Sequence, residues 1–355
     1  AAFDEPDGRR LAGTLVMRLP AGSDGRLRLQ FREPRPTVQN HEWGGQVRLR
    51  EATITHDAAK QSGFPSRIIF ADGKTVEGYH WNDRLFDKAR GSYGLIFDPA
   101  AKVERLAEGP IGTVVRVTSR YLNSKGAAPP SAPRAVYDWF YVANEPLVWV
   151  RATIRQRQVD RWPEIHFLEF NYPRELFPSW VGGDSLEKGQ FSGTKKSLPL
   201  KNWGAVLNGG RAIGMFACGE PRVYDGGAGT YLHAHADAAW RGWNTERVEF
   251  SSWLWIGNDP EPSSAVFNAA KVAVTARRIH VTVATVHERI REVRERILSA
   301  PNERSALWWR WAMAERHENS GKFKEAIEAL TEPMPDRARA MSGGDLGCIL
   351  RLKGD

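Results

Sequence analysis

Residues 136–158, VYDWFYVANEPLVWVRATIRQRQ, decide the fold that the sequence predicts. Two runs within this stretch, VYDWFYV and LVWVRATIRQR, have the composition of β-strands. The turn between them, Ala143–Pro146, is long enough for a hairpin but too short for the helical crossover that joins parallel strands. The stretch therefore predicts two neighbouring antiparallel strands.

The same alternation of strands and short connections continues on both sides of this hairpin. Strand patterns occur at Leu11–Phe31, Ala52–Tyr93, Lys102–Leu122, Trp203–Ala217 and Glu246–Ile256, with turn signals at Ala71–Gly73, Glu108–Pro110 and Asn208–Gly210. A crossover helix is missing between the early strands, up to Gln158, so we expect an antiparallel sheet.

The character of the sequence changes after Pro262. Residues Ala265–Val286 fit either a helix or a pair of β-branched strands, whereas apolar residues recur at helical spacing in the segments that follow, His287–Leu298, Leu307–Glu318 and Lys322–Leu330. The sequence thus predicts a β domain over residues 1–262 and a helical segment over 263–340. Residues 341–355 are a possible strand or the start of a further module.

Composition and charge favour an acidic partner. The 355 residues include 14 Trp, and tryptophan in a β-rich chain often provides flat platforms for sugar rings, although most of these rings are expected in the core. The formal net charge is +8, but Lys and Arg are scattered singly and no nucleic-acid motif is present. We therefore predict an anionic polysaccharide or oligosaccharide as partner, with no nucleic acid.

The sequence gives weaker indications of compartment. No apolar run is long enough to span a bilayer. The chain begins Ala1-Ala2-Phe3, as after cleavage of a signal peptide, and we expect a secreted or periplasmic protein. Two cysteines, Cys218 and Cys348, fit either a disulfide or two thiols. The oligomeric state is not predicted.

The stretch Tyr231–Trp243, YLHAHADAAWRGW, is the main candidate for a functional site. In a strand, alternate side chains share a face, so Tyr231, His233, His235 and Asp237 are expected to project together. These residue types serve general acid–base chemistry or metal binding. No cofactor is predicted, although metal binding by His233, His235 and Asp237 stays open.

Three other stretches add polar and aromatic candidates. His166 lies in Arg161–Trp180, where strand alternation places it on the face opposite Glu169 unless a bulge intervenes. The remaining two stretches are the loop segment His41–Trp43 and a second polar and aromatic group, His80–Arg84, within the strand pattern Ala52–Tyr93. Segments of this kind carry binding sites on β scaffolds.

Two short runs resemble a known family. The run EGPIGTVVRV at Glu108–Val117, followed by Arg120-Tyr121, resembles the central strands of galactose-mutarotase-like β-supersandwich domains of polysaccharide lyases and glycoside hydrolases. Trp240–Trp255 is similar to the late strands of these domains. The resemblance implies an antiparallel β-supersandwich that acts on carbohydrate. It carries over no catalytic residue.

Three functions fit these patterns. A polysaccharide lyase would neutralise a uronate with Arg241 or His166, use His233 or His235 as base, and use Tyr231 as acid. A glycoside hydrolase would instead need a carboxylate pair, and the candidates are Glu42, Asp83, Glu169 and Asp237.

The third function is a non-catalytic sugar-binding module. In any of the three, we expect the substrate to contact Trp43, Trp81, Asp83, Trp180 and Trp240. The lyase is the leading interpretation, because the basic balance suits an acidic glycan.

Overall fold

The computed structural model describes residues 2–4, 10–13, 43–194, 196–226, 230–235, 242–276 and 314. All of these except Ala314 belong to one compact unit made of Ala1–Arg18 and Pro36–Arg278. The second unit, Leu19–Arg35 with Ile279–Asp355, lies outside the described residues apart from Ala314.

The described residues form 23 strands and one α-helix, α1 (Pro262–Ala276), with short 3₁₀ turns at Gln61–Gly63, Leu95–Phe97 and Arg174–Leu176. In chain order the strands are β1 (Ala2–Asp4), β2 (Arg10–Gly13), β3 (Gly45–Arg48), β4 (Ala52–His56), β5 (Pro65–Phe70), β6 (Thr75–Val76), β7 (His80–Trp81), β8 (Arg84–Asp87), β9 (Gly91–Gly94), β10 (Lys102–Gly109), β11 (Gly112–Arg120), β12 (Arg134–Val142), β13 (Leu147–Arg155), β14 (Glu164–Ile165), β15 (Glu169–Tyr172), β16 (Ser179–Gly182), β17 (Glu187–Gln190), β18 (Lys196–Pro199), β19 (Trp203–Asn208), β20 (Arg211–Phe216), β21 (Glu220–Asp225), β22 (Thr230–His235) and β23 (Arg247–Asn258).

A nine-stranded antiparallel sheet forms the larger layer, in the order β10-β11-β12-β13-β23-β20-β19-β16-β17. Its first four strands are consecutive hairpins, and the β12–β13 turn places Asn144 at φ +59°. β23 then joins this meander to the second half of the sheet by pairing with both β13 and β20.

Smaller antiparallel sheets complete the β structure. The five-stranded sheet has the order β18-β21-β22-β15-β7, the four-stranded sheet β3-β4-β5-β6, and the three-stranded sheet β14-β8-β9, while β1 pairs with β2. Buried side chains of the five-stranded, four-stranded and nine-stranded sheets form one continuous apolar cluster. Trp81 and Phe170 meet Trp139 there, with Trp81–Phe170 and Trp81–Trp139 ring centroids 5.2 and 5.4 Å apart. The sheets therefore form a β-sandwich around one core.

The helix α1 covers part of the opposite side of the nine-stranded sheet. Val266 and Ala270 of α1 are buried in a second apolar cluster against Ala212 and Trp255 of the sheet. Gly214 of β20 permits the close approach, because a Cβ at this position would lie 2.5 Å from Val266 Cγ1.

The predicted fold class is confirmed: the molecule is mainly β, antiparallel and sandwich-like, with a smaller helical part. The predicted turns at Ala71–Gly73, Glu108–Pro110, Ala143–Pro146 and Asn208–Gly210 all connect paired strands. The ambiguous segment after Pro262 is helical as far as Ala276. The helices predicted beyond residue 286, and most of Leu11–Phe31, lie outside the described residues, and the boundary at residue 262 stays a prediction.

Candidate functional site

One side of the five-stranded sheet carries a group of polar side chains, which we call the polar face. Directly paired residues project to the same side of a sheet, and the register pairs Glu169 with His233, and Asn171 with both Tyr231 and His80. The other members are Arg222, opposite His233, and Tyr224, opposite Tyr231. The alternate residues Trp81, Phe170, Val223 and Leu232 are buried in the core.

Several hydrogen bonds beneath this face converge on Glu169. Its side chain is 1% exposed, and Oε1 accepts hydrogen bonds from Asn82 Nδ2 at 2.7 Å, Arg84 Nη1 at 2.8 Å and Asn171 Nδ2 at 2.8 Å. Oε2 contacts His166 Nδ1 in a short hydrogen bond. Both oxygens of the carboxylate are therefore committed, which suits a positioning role better than direct attack on a substrate.

These partners keep Glu169 ionised. Burial raises the pKa of a carboxyl group, but here the hydrogen bond and charge of His166, the charge of Arg84 and the Asn171 amide outweigh it, so the pKa of Glu169 lies far below its ordinary value. The imidazole of His166 is 2% exposed, and its Nε2 lies 3.3 Å from Glu164 Oε2. His166 thus connects the buried carboxylate to a half-exposed one.

A backbone distortion brings His166 and Glu169 together, and strand alternation alone would separate them. Leu168 adopts φ +50°, in the left-handed region that a branched residue rarely visits. Asp83 holds this turn, accepting the Leu168 N–H and the Glu169 N–H, each at 2.9 Å, and the Tyr137 hydroxyl at 2.5 Å. The exception that the sequence allowed therefore holds: the regular strand is interrupted between β14 and β15, and His166 and Glu169 come into contact.

The accessible groups of the polar face have defined protonation states at neutral pH. Partial burial and the nearby charge of Glu169 raise the pKa of Tyr231 to about 12, so its phenol keeps its proton. Although His80 is exposed, the protein atoms around its ring desolvate it and lower its pKa, with Glu169 opposing the shift and Arg84 adding to it, so this imidazole is neutral. The face thus offers a neutral acid and a neutral base.

Two arginines flank these groups. Arg84 and Arg222 both act electrostatically on Tyr231. Their side chains are 24% and 21% exposed. Arg222 Nη2 donates to Glu220 Oε2 at 2.8 Å, whereas its Nε is buried with no hydrogen-bond partner among the described residues. Guanidinium groups in this setting are suited to hold an anionic ligand.

The structure unites some of the predicted catalytic residues. Tyr231 and His233 lie side by side on β22, with ring centroids 5.1 Å apart, and both are near the Glu169–His166 pair. His233 is only 1% exposed. His235 ends β22 opposite Glu220, but its side chain lies outside the described residues, as do Arg241, Trp240 and Asp237.

Of the described members of the predicted substrate-binding set, two are buried and two are half-buried. Trp81 is 1% exposed in the core and donates its indole N–H to Pro65, so it has no free face for a sugar ring. Asp83 is fully buried at the Leu168 turn, where burial raises its pKa to about 6 against the hydrogen bonds it accepts. Trp43 precedes β3 and Trp180 lies in β16, each half-buried against the core. Trp81 and Asp83 are thus structural residues.

Among the described residues, the carboxylates predicted for a hydrolase do not form an accessible pair. Glu42 and Asp237 lie outside the described residues. Asp83 and Glu169 are adjacent, but both are buried and engaged in hydrogen bonds. Within the described part of the chain, no group of three or more His, Cys, Asp or Glu side chains is placed to hold a metal ion, and no helix there is long and apolar enough to cross a bilayer.

Sequence reasoning named the segment His80–Arg84 but gave no role to His80, Asn82 or Arg84, and it did not single out Asn171 or Arg222. The available signal was alternation: His80, Asn82 and Arg84 alternate with the buried Trp81 and Asp83. What the sequence could not give was the register that places β7 and β15 beside β22.

We compared the chain with known proteins. No protein-family model matches the chain, and no curated protein matches it. Similar solved structures include a galactose mutarotase related enzyme from Lactobacillus acidophilus, with 6% identity and a TM-score of 0.38, covering 61% of this chain and 98% of that one.

Two longer chains are also similar. An alpha-mannosidase from Enterococcus faecalis has 9% identity and a TM-score of 0.43, covering 64% of this chain and 31% of that one. An alpha-N-acetylgalactosaminidase from Bifidobacterium bifidum has 13% identity and a TM-score of 0.42, covering 70% and 42%. The present chain therefore spans less than half of either glycosidase. The activities named for these structures belong to those proteins.

Proposed function

We propose that this chain is a carbohydrate-active enzyme that cleaves an acidic, uronate-containing polysaccharide by β-elimination. The observation that carries the proposal is the arrangement of the polar face: the register places Tyr231 one strand away from Arg222 on one side, and across Asn171 from His80 on the other. A neutral imidazole, His80, lies on the same face.

β-Elimination needs three chemical functions. A cation or a set of donors neutralises the uronate carboxylate, which acidifies the adjacent C–H bond. A base removes that proton, and the electron pair of the C–H bond forms a carbon–carbon double bond as the bond to the glycosidic oxygen breaks. An acid then protonates the leaving oxygen. The polar face has a candidate for each function.

The roles follow from charge and accessibility. Arg222 and Arg84, whose side chains are partly exposed, would hold the carboxylate. His80 would accept the carbon-bound proton, because it is exposed and neutral. Tyr231 would donate its proton to the leaving oxygen, and solvent would restore both groups after each turnover. Glu169 and His166 are positioning residues beneath them.

This assignment revises the residues predicted from sequence but keeps the reaction. Tyr231 retains the role of acid, while Arg84 and Arg222 replace Arg241 or His166 as the cationic groups. His80 replaces His233 or His235 as the base, because His233 is almost fully buried. Secretion to an extracytoplasmic compartment would suit a polymeric substrate.

The test is an assay of the intact chain on a panel of uronate-containing polysaccharides. β-Elimination creates an unsaturated uronate that absorbs ultraviolet light, and reducing ends are measured in parallel. We expect both signals to rise. The variant Tyr231→Phe should lower kcat by about 10²- to 10⁴-fold with little change in KM, because the acid acts in the transition state.

Tyr224→Phe is the matched control, since Tyr224 stacks on Tyr231 with ring centroids 4.7 Å apart. This variant should keep kcat within about tenfold of the wild type. Reducing ends without ultraviolet absorbance would replace elimination by hydrolysis. Saccharide binding without turnover on any substrate would favour a binding module instead.

A further inference from the structure

The strand β7, which carries His80, is the last strand of the five-stranded sheet among the described residues. On one side it pairs with β15, where the Asn82 N–H donates to the Glu169 carbonyl oxygen at 2.8 Å. Alternate residues of a strand direct their backbone groups to opposite edges, so the Trp81 N–H and the Tyr79 carbonyl face away from β15. These two groups flank His80 and need partners from outside the sheet.

The side chain of Gln61 supplies both partners. Its Oε1 accepts the Trp81 N–H at 3.0 Å, and its Nε2 donates to the Tyr79 carbonyl oxygen at 3.1 Å. One amide group thus makes the two hydrogen bonds that a neighbouring strand would make, and it makes them to the residues on either side of His80. We call this pair of hydrogen bonds the Gln61 clamp.

The backbone that carries Gln61 is strained. Gln61, Ser62 and Gly63 adopt φ of +50°, +51° and +83° in succession, and residues with a side chain rarely visit this region. Strain of this kind persists only where the surrounding structure enforces it, and it is concentrated at functional sites. The strained turn directs the Gln61 side chain at β7.

Two buried side chains attach this turn to the core. His56 Nδ1 donates to the Gly63 carbonyl oxygen at 2.7 Å, while His56 Nε2 accepts from the Tyr141 hydroxyl at 2.5 Å. Ser62 Oγ donates to the Asp98 carbonyl oxygen at 2.9 Å. The clamp is therefore anchored in the packed interior of the sandwich.

We infer that Gln61 is a positioning residue for His80, and the inference rests on the proposed function, in which His80 is the base. A base that takes a carbon-bound proton must be held at a defined distance from the substrate, and a displacement of about 1 Å can cost about 10²-fold in rate. The clamp holds an edge strand of only two residues in place, and with it the imidazole on the polar face.

The experiment compares Gln61→Met with the wild type. Methionine is an unbranched residue of similar length without an amide, so this variant keeps the backbone strain and removes both hydrogen bonds. We expect kcat on a uronate-containing polysaccharide to fall about 10- to 100-fold, with KM within about twofold of the wild type. In the substrate-free chain with isotope-labelled tryptophan, NMR should show the Trp81 N–H exchanging with solvent at least about tenfold faster.

Gln61→Asn is a second variant, which preserves the turn because asparagine adopts positive φ more readily than most residues. Its amide is one methylene shorter and cannot make both hydrogen bonds, so its kcat and Trp81 exchange should match those of Gln61→Met. Gln190→Met is the matched control, because Gln190 is exposed in β17 at the end of the nine-stranded sheet. The control should match the wild type in both measurements.

The positioning role is overturned by a normal kcat in both Gln61 variants, by a loss of the same size in the control, or by a KM that rises as kcat falls. The exchange measurement needs no substrate and separates this inference from the reaction. Fast Trp81 exchange in the Gln61 variants of a chain that shows no turnover would support the clamp and refute the β-elimination. Turnover at one rate by the wild type and all variants would do the reverse.

Discussion

The single residue on which the candidate site depends most is Glu169. It is buried and ionised, and it accepts hydrogen bonds from side chains contributed by the segment before β8, by β8 itself, by the turn before β15 and by β15. A carboxylate in this position fixes the orientation of Arg84 and His166. Its removal leaves cationic and amide donors buried without their acceptor, which is costly.

We predict that Glu169→Gln destabilises the protein by about 3 kcal/mol at pH 7, measured by urea denaturation. The folded-state pKa of Glu169 lies below its ordinary value of 4.5, so its contribution is fully present above that pH and is lost as the pH falls. The difference between wild type and variant should therefore narrow below about pH 4.5.

Glu77→Gln provides the control, since Glu77 is 57% exposed and pairs with Arg67 on the surface. Its effect should stay within about 1 kcal/mol at every pH. A Glu169→Gln variant as stable as this control at pH 7 would show that the buried network does not hold the site together.

The sequence could predict which residue types form the site but not which of these residues come into contact. Tyr231 and His233 follow from alternation along one strand. The His166–Glu169 contact does not, because it needs the positive φ of Leu168, a turn to which the buried Asp83 is hydrogen-bonded. A non-local contact of this kind leaves no local pattern in the sequence.

At the scale of elements, the helix α1 shows how one small residue sets a packing distance. Val266 is fully buried against β20 at the position of Gly214. The glycine is not required for backbone conformation there. It is required because the helix occupies the space that a side chain would fill.

Gly214→Ala should therefore destabilise the protein by about 1–3 kcal/mol, because its Cβ would lie 2.5 Å from Val266 Cγ1 and force α1 away from the sheet. Chemical denaturation measures this loss. Gly109→Ala is the control, since a Cβ at Gly109 meets nothing within 4 Å, and it should change stability by less than about 0.5 kcal/mol. Equal effects of both would mean that α1 does not pack as described.

The elements themselves were largely predictable. Hairpins such as β12–β13 and β19–β20 are local, and their turn residues mark both ends of the paired strands. The pairing of β13 with β23 was not predictable, because the two strands are separated by the whole of β14–β22 and alternation says nothing about partners so far apart.

At the scale of the whole molecule, one core separates the polar face from the helix α1. The polar face belongs to the five-stranded sheet and α1 packs on the nine-stranded sheet, and the inner sides of these two sheets meet in the same apolar cluster. Residues on the two sides of this core, without shared partners, act independently.

Independence predicts the outcome of a double-mutant cycle on stability. The losses of unfolding free energy caused by Glu169→Gln and by Gly214→Ala should add to within about 0.5 kcal/mol when the variants are combined. Urea denaturation at pH 7 gives the four values. A combined loss well below the sum would mean that the polar face and α1 are coupled through the core.

The central position of β23 has a consequence for synthesis on the ribosome. The meander β10–β13 is complete early, yet β13 keeps an unpaired edge until β23 has been made and has inserted between β13 and β20. Throughout the translation of β14–β22 the nascent chain exposes that edge, and it is the place where a chaperone is most useful and where two nascent chains would first adhere.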